Sequence, residues 1–127
     1  MKSVRVIGAA IAAALITIAA PAIAHPKLIS STPAAQATVT NATQVSLTFS
    51  ETLMAPVSGI DLAMTGMPGM ANHAPMKVPY SSMMGKEGKS AMLMLKRPLT
   101  AGTYKVTWSA AGADTHRMGS EFSFTVK

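Results

Sequence analysis

Four methionines and one histidine recur at every third position in one short stretch of this chain. These five residues are Met64, Met67, Met70, His73 and Met76, and residues 64–76 are called the methionine segment below. A thioether sulfur is a soft, neutral donor that suits Cu(I) rather than Zn(II) or Mg(II). Neutral donors bind without losing protons, so such a site also holds metal in mildly acidic solution. The methionine segment is therefore predicted to bind Cu(I).

A spacing of three would also place these side chains along one face of a helix, where they would pack as a core stripe. Pro68, Gly69 and Pro75 interrupt any helix in the methionine segment. The other residues of the segment are small or polar, and no Leu, Ile or Phe among them offers an apolar surface to pack against. The alternative to metal binding is that flexible Met side chains fill gaps or form an adaptable contact surface.

The first 24 residues have the features of a cleaved export signal. Lys2 and Arg5 give a positive start, residues 6–20 are almost wholly apolar, and a small-x-small cleavage site ends at Ala24. The apolar run is shorter than the roughly 20 residues that a membrane-spanning helix needs. We expect cleavage after Ala24, which leaves residues 25–127 as one small domain.

The other two histidines predict a second metal site. With cleavage after Ala24, His25 offers its ring and its free α-amine to one metal ion as a chelate. Asp114 and His116 are two residues apart, and on an extended strand such residues face the same way. An amine, two imidazoles and a carboxylate form a donor set that suits tetragonal Cu(II). The alternative for each histidine is a surface position without a metal.

Charge and cysteine content exclude several classes of protein. The formal net charge is +6 at pH 7, but the charges are scattered without a basic block, so we expect no nucleic-acid partner. The chain has no cysteine. This excludes thiolate catalysis, zinc sites that use Cys, and a blue-copper centre of the His₂Cys type.

From residue 25 onward, the pattern predicts short strands between turns. Apolar and polar residues alternate with the period of two that is typical of half-buried strands. The alternating stretches are Val45 to Phe49, Ile60 to Leu62, Met92 to Leu95, Tyr104 to Trp108 and Phe122 to Val126, with a weaker one at Lys27 to Ser31. Six or seven such strands favour an all-β sandwich or barrel. Met92 and Met94 lie on one of these strands, and we expect them to pack there.

The chain resembles the CopC/PcoC family of periplasmic copper-resistance proteins. The resemblance covers essentially all of residues 25–127, in order, and the motifs are specific in combination. They are H-P-K-L-I-S-S-T-P, L-T-F-S-E-T-L, M-T-G-M-P-G-M followed by H-A-P-M, L-T-A-G-T-Y-K-V-T-W and A-D-T-H. One departure is Arg117-Met118 after the last motif, where the family has Pro and an aliphatic residue. Arg117 either weakens a nearby Cu(II) site through its charge or points to solvent.

The resemblance implies a fold, two copper sites and a role. The fold is a cupredoxin-like Greek-key β-sandwich or barrel, immunoglobulin-like in arrangement, with about seven strands. The implied Cu(II) ligands are His25, Asp114 and His116, and the implied Cu(I) ligands are in the methionine segment. Glu51 and Trp108 would support the Cu(II) site, although a solvated acid is the simpler explanation for Glu51.

The implied role is that of a monomeric periplasmic copper carrier without catalytic activity. Its implied partners are a copper-uptake protein of the inner membrane and a periplasmic multicopper oxidase. Two alternatives remain open. An N-terminal histidine chelate also resembles the copper centre of polysaccharide monooxygenases, which are oxidative enzymes. A methionine-rich domain can also act as an adhesion or oxidant-scavenging module through sulfoxide formation.

Overall fold

The computed structural model describes residues 26–54, 59–112 and 117–127. Nine β-strands lie within these ranges. They are β1 Leu28–Thr32, β2 Thr38–Val39, β3 Gln44–Phe49, β4 Gly59–Gly66, β5 Met76–Lys77, β6 Tyr80–Met84, β7 Ser90–Leu95, β8 Gly102–Ala111 and β9 Arg117–Val126. Within the same ranges, no helix is long and apolar enough to span a membrane. The predicted ligands His25, Asp114 and His116 lie outside the described residues.

The strands form two sheets, and this confirms the predicted all-β sandwich. One sheet has four strands in the order β1-β3-β7-β6, and the other has five in the order β2-β9-β8-β4-β5. Neighbouring strands are antiparallel except for β2 and β9, which run parallel. The two sheets stay separate, so the sandwich forms and the closed barrel does not. Strands β2 and β5 have only two residues each, which leaves seven longer strands, as the sequence predicts.

The core lies between the two sheets and follows from the period-two pattern. On β3, Val45, Leu47 and Phe49 point inward and are almost fully buried. Phe49 meets Trp108 of β8 edge to face, with ring centroids 5.2 Å apart. Such aromatic pairs add roughly 0.5–1.5 kcal/mol beyond the area they bury. This contact joins the two sheets, because β3 and β8 belong to different ones.

The expectation that Met92 and Met94 pack is wrong. On β7 the inward positions are taken by Ala91 and Leu93, which are buried. Met92 and Met94 alternate with them and therefore face outward, with 36% and 40% of their surface exposed. Successive residues of a strand point to opposite faces. In β7 the smaller and branched residues point to the core, and the methionines point outward.

Strand β6 is not predicted from the sequence. This strand has an exposed pattern along most of its length, because it is the outer strand of the four-stranded sheet. An edge strand buries little of either face, so no clear alternation marks it. Tyr80 is its one anchored side chain, since its hydroxyl donates a hydrogen bond to the carbonyl oxygen of Ile60 on β4, in the other sheet.

Candidate metal sites

A tight turn brings the side chains of Met67 and Met70 to the same face of the methionine segment. Met67 and Met70 exchange two backbone hydrogen bonds, each with an N···O distance of 2.9 Å. Pro68 and Gly69 are the central residues, and Gly69 has a φ of +82°. Proline first and a glycine with positive φ second are the features of a type II turn. Residues that are paired directly opposite each other point to one face, with Cα atoms about 5.5 Å apart.

The two methionines of this turn are exposed, and the chain behind them is closely packed. Met67 and Met70 have 36% and 53% of their surface accessible. A Cβ on Gly66 would collide with the backbone carbonyl oxygen of Ala71. Only glycine therefore lets the returning chain lie against the end of β4. The thioethers are held on an ordered turn and still reach solvent.

Met64 and Met76 form a second pair, and they differ sharply in burial. They are directly opposite each other where β4 pairs with β5. Met64 is 9% exposed and belongs to the core, whereas Met76 is 54% exposed. Both line a surface cleft of about 650 Å³ that also contacts Tyr104. No other residue of the methionine segment offers its methionines an apolar surface to pack against. Met64 is nevertheless buried, because its neighbours come from the rest of the core.

His73 has one ring nitrogen bonded and the other without a partner. Its Nδ1 lies 2.7 Å from the carbonyl oxygen of Ala74. A carbonyl oxygen only accepts, so Nδ1 carries the proton and the lone pair is on Nε2. Nε2 is buried and has no hydrogen-bond partner among the described residues. A buried nitrogen without a partner costs free energy, and a soft metal ion would satisfy it.

The backbone places His73 between the two methionine pairs. The His73 N–H donates to the carbonyl oxygen of Thr65, with an N···O distance of 3.0 Å. Thr65 lies on β4 between Met64 and Gly66, just before the Met67–Met70 turn.

The ring of His73 has the hydrogen bond that is typical of a metal ligand. A metal-binding imidazole typically donates its other N–H to a backbone carbonyl, which fixes the orientation of the ring. The structure gives His73 this arrangement, so the donor set fits a soft metal such as Cu(I).

The described residues that flank the predicted Cu(II) ligands converge at one end of the sandwich. Lys27 and Ser50 are joined by two hydrogen bonds, from the Lys27 N–H to Ser50 Oγ at 2.9 Å and from the Ser50 N–H to the Lys27 carbonyl at 2.8 Å. Pro26 is fully buried, and it shares a surface cavity of about 350 Å³ with Trp108 and Met118. The hydrogen bonds tie the start of the described chain to the bend after β3, and the cavity lies between this start and residues of β8 and β9.

Three further residues belong to the same end. Arg117 begins β9 and pairs with Ala111 near the end of β8. Its side chain is exposed, in agreement with the alternative in which it points to solvent. Glu51 is partly buried in the bend after β3. Within residues 26–54, 59–112 and 117–127, no three His, Cys, Asp or Glu side chains come together, and three predicted Cu(II) ligands lie outside these ranges.

Comparison with known proteins identifies the family. Residues 28–127 match the CopC domain family. The chain is 44% identical over 110 residues to copper resistance protein C of Escherichia coli, covering 87% of each chain. It is also 44% identical over 115 residues to copper resistance protein C of Pseudomonas syringae pv. tomato, covering 91% of this chain and 90% of the relative.

Solved structures agree with this result. The structure of PcoC, a methionine-rich copper resistance protein from Escherichia coli, matches with a TM-score of 0.74 and 42% identity, over 82% of this chain and 100% of PcoC. CopC from Methylosinus trichosporium OB3b shares the fold, with a TM-score of 0.65 at 21% identity over 81% of this chain and 94% of that protein. The chain described here therefore belongs to the CopC domain family.

Proposed function

We propose that this protein is a periplasmic copper carrier that binds Cu(I) at the methionine segment and Cu(II) at a site that includes its mature N-terminus. The observation that carries the proposal is the buried Nε2 of His73, which has no hydrogen-bond partner among the described residues, on a residue whose backbone N–H is bonded to Thr65 between the two pairs of methionines. The names of the relatives, copper resistance protein C, support copper as the cargo.

The Cu(I) half of the proposal uses Met67, Met70 and His73 as its central ligands. The turn presents two thioethers on one face, and because Nδ1 donates to the carbonyl oxygen of Ala74, the lone pair of the neutral ring is on Nε2. Two sulfurs and one imidazole nitrogen form a soft, neutral set that favours Cu(I) over harder ions. Met76 is exposed and belongs to the same segment, so we propose it as a further ligand.

Met64 is buried, unlike the other methionines of the segment. The sequence predicts it as a ligand, but its side chain is buried in the core opposite Met76. Ligation by Met64 would require the sulfur to leave that core or the metal to enter the cleft beside Tyr104. We therefore assign Met64 mainly to packing.

The Cu(II) half of the proposal uses the amine and ring of His25 with Asp114 and His116. Its support from the described structure is that Pro26 and Met118, which closely follow His25 and His116 in the chain, line one surface cavity together with Trp108. Arg117 begins β9 opposite the end of β8. The contact of Trp108 with Phe49 holds the local core together. Copper in the two oxidation states would then be held at separate places on one domain.

The experiment is native electrospray mass spectrometry of the protein purified from the periplasm, before and after Cu(II) is added. The proposal expects a chain that starts at His25 and holds one Cu(II). A matched variant with one additional Met before His25 keeps every side chain but moves the amine, and it should lose that Cu(II). A mature chain that starts elsewhere, or Cu(II) retained in the extended variant, would refute the N-terminal site.

A carrier role also distinguishes this proposal from an oxidative enzyme. A carrier loaded with copper should consume no more oxygen or peroxide than free copper does when polysaccharide is added. Consumption that depends on the substrate would favour the monooxygenase-like alternative. The proposed partners, a membrane copper-uptake protein and a multicopper oxidase, would exchange copper with a monomeric protein.

A further inference from the structure

Three methionines outside the methionine segment lie next to each other on the outer face of the four-stranded sheet. On this face, Met83 of β6 is directly opposite Met92 of β7. Met94 follows two residues after Met92 and therefore points the same way. Met83, Met92 and Met94 are called the methionine triad here. All three are exposed, with 62%, 36% and 40% of their surface accessible.

Packing does not explain the triad. Three paired positions surround the triad on this face. On β3, Gln44 is directly opposite Met94 and Ser46 is directly opposite Met92. On β6, Ser81 is directly opposite Met94. These neighbours are polar, so among the paired positions the three methionines have only each other as apolar neighbours. Strands are enriched in β-branched and aromatic residues, and methionine at three adjacent exposed sites departs from that pattern.

The spacing of the triad allows the three sulfurs to converge. Side chains directly across an antiparallel pair have Cβ atoms about 4.5–5.5 Å apart. Residues two apart on one strand are separated by roughly 6.6–6.8 Å. A Met side chain has three rotatable bonds, so its sulfur can move over a distance of this size. No charged residue is among the paired neighbours of the triad, so none of them repels an approaching cation.

We propose that Met83, Met92 and Met94 form a second soft-metal site, which binds Cu(I) through three thioether sulfurs. The site is separate from the methionine segment, because the segment belongs to the five-stranded sheet and the triad to the four-stranded one. The triad uses none of the residues of the proposed function. Only the choice of Cu(I) as the cation rests on that function.

The triad site is more open than the segment. It lacks an imidazole and lies on a flat sheet face, so water reaches the bound ion from one side. It should therefore bind Cu(I) more weakly and release it faster than the methionine segment does. A weak, exposed site on a second face gives the carrier a place where copper enters or leaves without displacing the ion held at the segment.

The test is an anaerobic titration with Cu(I), followed by NMR of the full protein with ¹³C-labelled Met methyl groups. The background variant Met67→Leu/Met70→Leu weakens the segment and leaves the triad intact. In this background, the methyl signals of the triad should shift together and saturate with one equivalent of Cu(I). The signal of Met84, on the same strand as Met83 but one position along, should not follow them.

Single substitutions then show whether the three sulfurs share one Cu(I) ion or contact Cu(I) independently. Met92→Leu, at the centre of the triad, should weaken the response of Met83 and Met94 to Cu(I) by at least about tenfold. Met94→Leu provides a second variant with the same expected effect on the other two. Met84→Leu is the matched control and should leave the triad response unchanged. The unperturbed signals of the remaining methyl groups report that each variant is folded.

Two results would overturn the proposal. One is an absence of triad shifts at stoichiometric Cu(I). The other is an unchanged response of Met83 and Met94 in the Met92→Leu variant, which would show that each sulfur contacts the metal alone. In the unsubstituted protein, the signals of Met67, Met70 and Met76 report the segment in the same titration. Failure at the triad is thus distinguished from failure of the proposed Cu(I) function.

Discussion

Met67 and Met70 face each other across the Pro68-Gly69 turn and exchange two backbone hydrogen bonds of 2.9 Å. The turn converts a sequence spacing of three into a pair of side chains on one face. Proline fixes the first central residue, and glycine takes the positive φ of the second. The positions of the two thioethers therefore depend on the residues between them, as well as on the methionines themselves.

Replacing both turn methionines should remove most of the Cu(I) affinity. Met67→Leu/Met70→Leu keeps size and apolar character and deletes two sulfur donors. We expect affinity for Cu(I) to fall by at least about tenfold, which is about 1.4 kcal/mol, measured by competition with a chromophoric Cu(I) chelator. The matched control is Met64→Leu, which fills the same core space. If Met64→Leu weakens binding as much as the double variant does, Met64 is a ligand and our assignment of it to packing is wrong.

The turn backbone can be tested without changing any proposed ligand. Gly69 has a positive φ and open space around it, so Gly69→Ala introduces conformational strain of about 1–2 kcal/mol and no collision. We expect weaker Cu(I) binding in the same chelator competition, because the Met67–Met70 pairing loosens. Gly59→Ala is the control, since a Cβ there makes only ordinary contact with Ser109. Equal affinities in the two variants would show that the turn geometry does not matter.

The bond from Tyr80 to Ile60 should contribute to stability by joining β6 of one sheet to β4 of the other. Tyr80→Phe removes the hydroxyl and leaves the Ile60 carbonyl oxygen without that donor. We expect the free energy of unfolding to fall by about 0.5–1.5 kcal/mol, measured by urea denaturation at neutral pH. An unchanged midpoint would mean that water replaces the hydroxyl at no cost.

The same residue predicts a loss of stability at alkaline pH. Burial, and secondly the nearby Asp61 carboxylate, raise the pKa of Tyr80 above its ordinary value of 10.0. The folded state therefore keeps the phenol proton in a range where the unfolded chain releases it. This contribution is complete below pH 10 and declines as the pH rises through the raised value. In urea denaturation across this range, Tyr80→Phe should lose less stability than the unsubstituted protein, and parallel curves would contradict the assignment.

Metal preference separates copper binding from oxidant scavenging. A soft set of thioethers and one imidazole should bind Cu(I) much more tightly than Zn(II). Competition between the two ions, read by native mass spectrometry of the chain with the additional N-terminal Met, should give the Cu(I) form alone. A domain whose methionines serve only to be oxidised predicts no such preference, so comparable Zn(II) occupancy would favour that alternative.

The sequence predicted the long strands because each has one buried face. Val45, Leu47 and Phe49 alternate with polar residues, and this pattern corresponds directly to β3. Strand β6 gives no such signal, because an edge strand is exposed on most of its length. The expectation that Met92 and Met94 pack is wrong, because alternation between Met and Leu does not show which of two apolar sets is inside.

The sequence predicts which residues form the candidate site better than it predicts how they are arranged. The breaks at Pro68 and Gly69 correctly excluded a helix, and the turn follows from those two residues. The burial of Met64 was not predictable from the segment, because its neighbours come from distant strands such as β8. Nor does the sequence show that Nδ1 of His73 is bonded to Ala74 while Nε2 has no partner in the part of the chain that the structure describes. The hydrogen bonds of the two ring nitrogens depend on the path of the backbone after the Met67–Met70 turn.

Copper K-edge X-ray absorption of the protein with one equivalent of Cu(I) is the measurement that decides whether His73 and the methionine sulfurs bind the same ion. The chain should carry the additional N-terminal Met, so that the His25 amine does not compete. We predict sulfur neighbours together with one nitrogen neighbour, and the loss of that nitrogen in His73→Ala while the sulfurs remain. A copper ion surrounded only by nitrogen and oxygen, or a spectrum unchanged by His73→Ala, would contradict the account.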